Sequence, residues 1–107
     1  MEAKPRRILN YVAPNGVCPF KEWMANARGQ RIHAKILQRI DRVERGNFGK
    51  CKSVGEGVCE LIVDFGPGYR VYFGQDGSDV VLLCAGDEST QDQDINTARQ
   101  YWKDYNA

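Results

Sequence analysis

The cations of this chain are its most chemically suggestive residues. Arg28, Arg31, Lys35, Arg39 and Arg42 recur every three or four positions, a spacing that places them along one side of a helix. Such a stripe could hold nucleic-acid phosphates, with binding that falls steeply as salt rises. It could equally dock an acidic protein segment or be a solvated helix face. Lys50 and Lys52 follow, where they could touch phosphate or stand in water as loop lysines. Arg70 and Tyr72 are alternate residues of a strand pattern and share a face. The planar fork of a guanidinium suits a phosphate, and a tyrosine beside it could stack on a base or donate a proton. Against this, Arg70 could pair across a sheet with Glu60 or Asp64, and aromatic residues such as Tyr72 are favoured in strands anyway.

Metal chemistry finds little support. Cys18, Cys51, Cys59 and Cys84 form no C-x-x-C, and His33 is the lone histidine, so neither a metal site nor a cofactor is expected. Reduced thiols and a cytoplasmic location are the expectation, with no disulfide. His33 reads as a helix-edge residue.

These groups are distributed unevenly along the chain. Residues 1–55 carry 12 Lys/Arg against 4 Asp/Glu, and residues 56–107 carry 3 against 10. The asymmetry points to a face addressed to a polyanion or an acidic partner, or to two halves that neutralise each other on folding. With 42% hydrophobic and 27% charged residues, residues 1–107 read as a single globular domain. The longest apolar run, Val80 to Ala85, is too short to span a bilayer. The basic start, Met1 to Arg7, leads into no long hydrophobic region, so neither a secretory signal nor a membrane partner is expected.

The elements follow from periodicity. Arg7–Val12 reads as a strand ended by Pro14-Asn15-Gly16. Pro19 suits the first turn of a helix through Phe20, Trp23, Met24 and Ala27. A longer helix carries Ile32, Ile36, Leu37, Ile40 and Val43 on one stripe and stops at Gly46-Asn47-Phe48-Gly49. Strands are expected over Val58–Phe65, Tyr69–Phe73 and Asp79–Ala85, the last buried on both faces, with a further short one at Cys51–Val54. Ser89-Thr90-Gln91-Asp92 resembles a capping box opening a final helix with Ile95, Ala98, Trp102 and Tyr105 on its apolar stripe. The order β-α-α-β-β-β(-β)-α predicts an α+β fold with a mainly antiparallel twisted sheet, two helices on one face and a C-terminal helix. If Val71 and Phe73 pack on the helices, Arg70 and Tyr72 line an open concave surface.

The string Glu60-Leu61-Ile62-Val63-Asp64-Phe65-Gly66-Pro67-Gly68-Tyr69-Arg70-Val71-Tyr72-Phe73 resembles the signature of the addiction module killer branch of the RelE/ParE toxins, which includes HigB-type proteins. Pro19 to Trp23, Gly46 to Gly49, Leu82 to Asp87 and Gln91 to Ala98 add similar segments in the same order. The resemblance implies a RelE-like fold and the toxin of a type II toxin–antitoxin module, an mRNA interferase that cuts message on the ribosome. The implied reaction uses no metal: the 2′-hydroxyl attacks the adjacent phosphate, leaving a cyclic phosphate and a free 5′-hydroxyl. Its catalytic residues would be Arg70, with Tyr72 and Lys52 beside it, and Lys50 with the helix stripe would bind RNA. The implied partners are a cognate antitoxin, the ribosome with its mRNA, and operator DNA through the antitoxin. A non-enzymatic reading stands beside this one, either a gyrase poison of the ParE kind or a degenerate toxin that only binds antitoxin.

Two positions depart from the resemblance. Ile62 stands where such toxins commonly carry Arg or Lys, and Glu88 stands where they commonly carry Lys. At roughly 1.5–3 kcal/mol per charge-assisted hydrogen bond, losing two cations could cost several orders of magnitude in rate, so the expectation is a toxin that is weak, relocates its cations or is catalytically dead. Restoring Ile62→Arg and Glu88→Lys together is expected to raise growth inhibition and RNA cleavage on induction. Unchanged values of both would remove the argument.

Overall fold

The computed structural model describes residues 4–27 and 29–107. Its elements run β1 (Arg7–Asn10), α1 (Pro19–Asn26), α2 (Gln30–Glu44), β2 (Cys51–Ser53), β3 (Val58–Val63), β4 (Tyr69–Asp76), β5 (Asp79–Asp87), a 3-10 turn (Glu88–Thr90) and α3 (Gln91–Tyr105). The five strands form one sheet in the order β1-β5-β4-β3-β2. The β2–β3, β3–β4 and β4–β5 pairs are antiparallel, as their short connections require. β1 pairs with β5 in parallel, reached by the long path through both helices. The α+β architecture and the order of elements along the chain match the expectation.

Alternation decides which residues meet which helices. On one face Leu61, Val63, Val71, Phe73, Val80 and Leu82 pack with Phe20, Ile36, Ile40 and Val43 of α1 and α2. On the other face Val58, Tyr72, Val81, Leu83 and Cys84 pack with Ala98 and the partly buried Ile95, Tyr101 and Trp102 of α3. The C-terminal helix therefore lies over the face expected to be open, and the sheet is covered on both sides. A register shift between Tyr72 and Phe73 opposite β5 adds one residue to that strand: Tyr72 faces Cys84 and Phe73 faces Leu82. The bulge lets Leu83 and Cys84 both join the α3 side and swings Gly86 onto it.

Leu37 departs from the expected stripe. It is 55% exposed, because α2 turns only Ile32, Ile36, Ile40 and Val43 onto the sheet. The expected capping box is also absent. Asp87 instead accepts hydrogen bonds from the amide and hydroxyl of Ser89, and the Thr90 hydroxyl donates to Asp94 at 2.6 Å. The chain enters α3 through the 3-10 turn, which shifts the cap by a turn.

The first strand is pinned at the sheet edge by a two-pronged contact. Arg7 donates to both carboxylate oxygens of Asp79, at 3.0 and 2.7 Å, and these hydrogen bonds hold the Asp79 carboxyl below its ordinary value. A depressed folded pKa contributes stability that is present above the ordinary carboxylate range and lost as pH falls through the folded value. On acidification below about pH 4, the β1 amide resonances of Ile8 and Leu9 should therefore shift and broaden before those of β4. In Asp79→Asn that low-pH step should disappear. A wild-type β1 that keeps its resonances through the same titration would contradict the assignment.

Candidate functional site: a buried carboxylate and a basic groove

Cross-strand register brings the expected catalytic residues together, but around Glu60, which the sequence offered only as one cross-strand partner for Arg70. Lys52, Glu60 and Tyr72 lie directly opposite one another on β2, β3 and β4, and Arg70 is opposite Ile62 one step along. All project to the α3 side. Glu60 is at their centre and fully buried. Its Oε2 accepts from the Tyr72 hydroxyl at 3.0 Å and from the Gln91 amide of α3 at 2.9 Å. The Arg70 Nε stands 3.6 Å from the same oxygen, and Lys52 Nζ stands 3.8 Å from Oε1.

This arrangement corrects the roles expected of Arg70 and Tyr72. The Arg70 side chain is only 16% exposed. Besides facing Glu60, it donates from Nη1 to the Gly68 carbonyl at 2.9 Å. Its guanidinium is thus the internal partner of a carboxylate and does not stand free for a phosphate. Tyr72 is wholly buried, and burial, reinforced by the Glu60 charge, pushes its hydroxyl well above the ordinary tyrosine value. With its hydroxyl donating to Glu60 and its ring enclosed under α3, Tyr72 has no open path to a leaving oxygen and no free face for a base. Lys52 is the one member with its ammonium in water, 63% exposed. The cause of the correction is α3: an alternating strand shows which face a residue takes but not which helix will cover it.

The helix stripe divides in a similar way. Arg31, Lys35 and Arg42 are exposed, with Arg31 and Lys35 lying over the Phe65 ring at 5.5 and 6.0 Å from its centre. Arg28 lies outside the described residues. Arg39 is buried, 7% exposed. It donates to the carbonyls of Ile62 at 3.0 Å and Lys50 at 3.1 Å, and to that of Phe48. It is therefore a fastener between α2, the loop before β2 and the end of β3, which corrects its placement on a free RNA-binding face. Burial first, and the neighbouring Arg42 charge second, lower its pKa. Arg39→Lys is expected to lower the unfolding free energy by about 2 kcal/mol, since an ammonium cannot reproduce a planar fork across three carbonyls. Urea unfolding would measure it, and a loss within error would contradict the fastening role.

A groove of about 370 Å³ opens beside this fastener. Lys35, Gln38, Arg39, Arg42 and Lys50 line it with Ile62, Val63, Asp64 and Phe65. It thus joins Lys50 to the stripe cations Lys35, Arg39 and Arg42, and it includes Ile62, one of the two departures from the resemblance. Glu88, the other, lies at a separate depression with Ser89 to Gln93. The sequence signal for the groove was present: three cations on one helix face and a lysine after the Gly46-Asn47-Phe48-Gly49 stop. What the sequence could not show is that Arg39 turns inward between Arg42 and Lys50.

Among the described residues no helix is long and apolar enough to cross a membrane. The four cysteines are free thiols, with the Cys84 thiol pushed up to about 12 by burial. No family model and no solved structure matches the chain. Over 81 residues, spanning 75% of this chain and 82% of the other, it is 51% identical to an uncharacterized protein of Haemophilus influenzae. Identity at that level over that span makes the two chains members of one family, and the chain belongs to the family of that Haemophilus influenzae protein.

Proposed function

We propose that this chain is the toxin of a type II toxin–antitoxin module and acts on RNA at the ribosome, holding the polyanion in the groove beside α2. The observation that carries the proposal is the convergence of Lys35, Arg39, Arg42 and Lys50 on one depression. The element order and the Gly68-Tyr69-Arg70 segment of the toxin resemblance add to it. Lys35, Arg42 and Lys50 are exposed and can engage phosphates without reading sequence, with the buried Arg39 adding charge beneath them. Arg42→Gln and Lys50→Gln should each weaken ribosome association and lower its salt slope by about one counterion.

Inhibition of translation through message cleavage is the mechanism that the resemblance implies. The Arg70–Glu60 pair favours a second reading, a toxin-fold protein that binds RNA or antitoxin and does not cut. For cleavage, a phosphate must draw Arg70 away from a buried carboxylate, and Lys52 is the cation already in solvent beside it. Induced expression in a bacterial host, with and without an adjacent antitoxin gene, followed by mapping of message 5′ ends separates the two. Site-specific cuts that appear only without the antitoxin support the nuclease. Growth arrest with intact message supports the binder, and growth unaffected by induction would remove the toxin proposal.

A further inference from the structure

The cations of the α2 groove gather without an acidic partner among the ion pairs of the described residues. Arg7, Arg45, Lys52, Arg70 and Arg99 each have a carboxylate within 4.0 Å. Among the described residues no ion pair engages Lys35, Arg39, Arg42 or Lys50. Arg39 is more than nine-tenths buried, and its Nη1 has no hydrogen-bond partner. A buried guanidinium with an unused donor beside a second like charge is costly unless an anion completes it.

The backbone makes room for that crowding. Gly49 has φ +56°, and a methyl group added there would lie 3.0 Å from the Nη2 atoms of both Arg39 and Arg42. The two forks therefore converge on the spot that glycine leaves vacant. Phe65 walls the groove and Asp64 contributes its one carboxylate, on an exposed side chain.

We propose that this groove is an oxyanion site for a phosphate group, seated between the guanidinium groups of Arg39 and Arg42 and enclosed by Lys35 and Lys50. The site deepens the RNA reading above and rests on it for the source of the phosphate; its chemistry belongs to the groove alone. Arg42, exposed, supplies the N–H donors to the phosphate oxygens, the geometry that arginine offers and lysine does not, while Arg39, whose Nε and Nη2 are held by carbonyls, contributes its charge from beneath. Asp64 opposes the anion and limits the affinity.

Titration calorimetry on the purified protein, at fixed ionic strength, tests the site with three probes: inorganic phosphate, adenosine 5′-monophosphate and the dinucleoside monophosphate ApA. Inorganic phosphate should bind saturably with one site, while chloride should not. Arg42→Gln should weaken it about tenfold, and Asp64→Asn should tighten it. Because Arg39 also fastens the fold, its part is read without substitution, from the shift of its side-chain Nε–H resonance on titration. ApA binding as tight as phosphate assigns the site to an RNA backbone, and tighter binding of the two monoester-type probes assigns it to a free or terminal phosphate. Non-saturable heats overturn the site, as do affinities unchanged in both variants or Arg39 and Arg42 resonances that do not move. A phosphate site with no effect of induction on growth leaves the groove standing and removes the toxin reading. Message cleavage without phosphate binding does the reverse.

Discussion

Glu60→Ala should lower the unfolding free energy by about 3–4 kcal/mol. Four groups converge on this carboxylate: the Tyr72 hydroxyl, the Gln91 amide, and the cations of Arg70 and Lys52. Removing it strands a guanidinium that is mostly out of water and leaves the Tyr72 hydroxyl without an acceptor in a fully buried position. Lys52 simply returns to solvent and adds little. Two companions isolate the cause. Glu60→Gln keeps an oxygen for Tyr72 while losing the charge, so it should cost less than the alanine variant. The double variant Glu60→Leu, Arg70→Met removes both charges and should recover much of the loss, since an apolar pair can replace a buried ion pair at little cost. Urea unfolding followed by tryptophan fluorescence reads all three. If the double variant is no more stable than Glu60→Ala, the stranded charge is not the origin of the effect.

Gly74→Val is expected to cost about 3 kcal/mol or more, through the contact of α3 with the sheet. A methyl group at position 74 would lie 2.5 Å from the indole carbons of Trp102, and one at Gly57 would lie 2.7 Å from its Nε1. The indole thus rests directly on the backbone of β4, in a space that only the absence of a side chain provides. Trp102 also stacks on Tyr105 at 5.2 Å with the rings nearly parallel, so displacement of one ring moves the other. The variant should fold less stably and red-shift the Trp102 emission while leaving Trp23 on the opposite face unchanged. Gly74→Val together with Trp102→Leu should be more stable than Gly74→Val alone. Additive losses in that pair would show that the clash is not with the indole.

Much of the architecture was legible because it is written in local periodicity. The alternation from Val58 to Phe73 and the double-sided burial of β5 set the sheet, and the stripe from Ile32 to Val43 set the helix that covers one face. Leu37 misled because a three-to-four repeat defines a stripe only to within one residue of its edge. The site was legible in membership but not in role. Lys52, Arg70 and Tyr72 do gather, since register follows from the hairpins. Glu60 was weighed only as a partner that might neutralise Arg70, and it proved to be the centre of the cluster. Its burial depends on where α3 lies, which is a tertiary fact that no strand pattern contains. Arg39 failed for a related reason: helical spacing aligns it with Arg42 and Lys35, yet one residue of rotation around α2 takes it from water to the carbonyls of Phe48, Lys50 and Ile62.

The parallel pairing of β1 with β5 has a consequence for the order in which the molecule assembles. Arg7 to Asn10 find their partners only at Asp79 to Leu82, so β1 waits for some seventy further residues to be made before it can pair. Closure of so long a span comes late and favours a slow, cooperative final step. A nascent chain that has not reached residue 79 contains the residues of the β2–β3–β4 meander but has no partner for β1. The fold is therefore withheld until β5 has been made, in a protein whose proposed target is the machine that makes it.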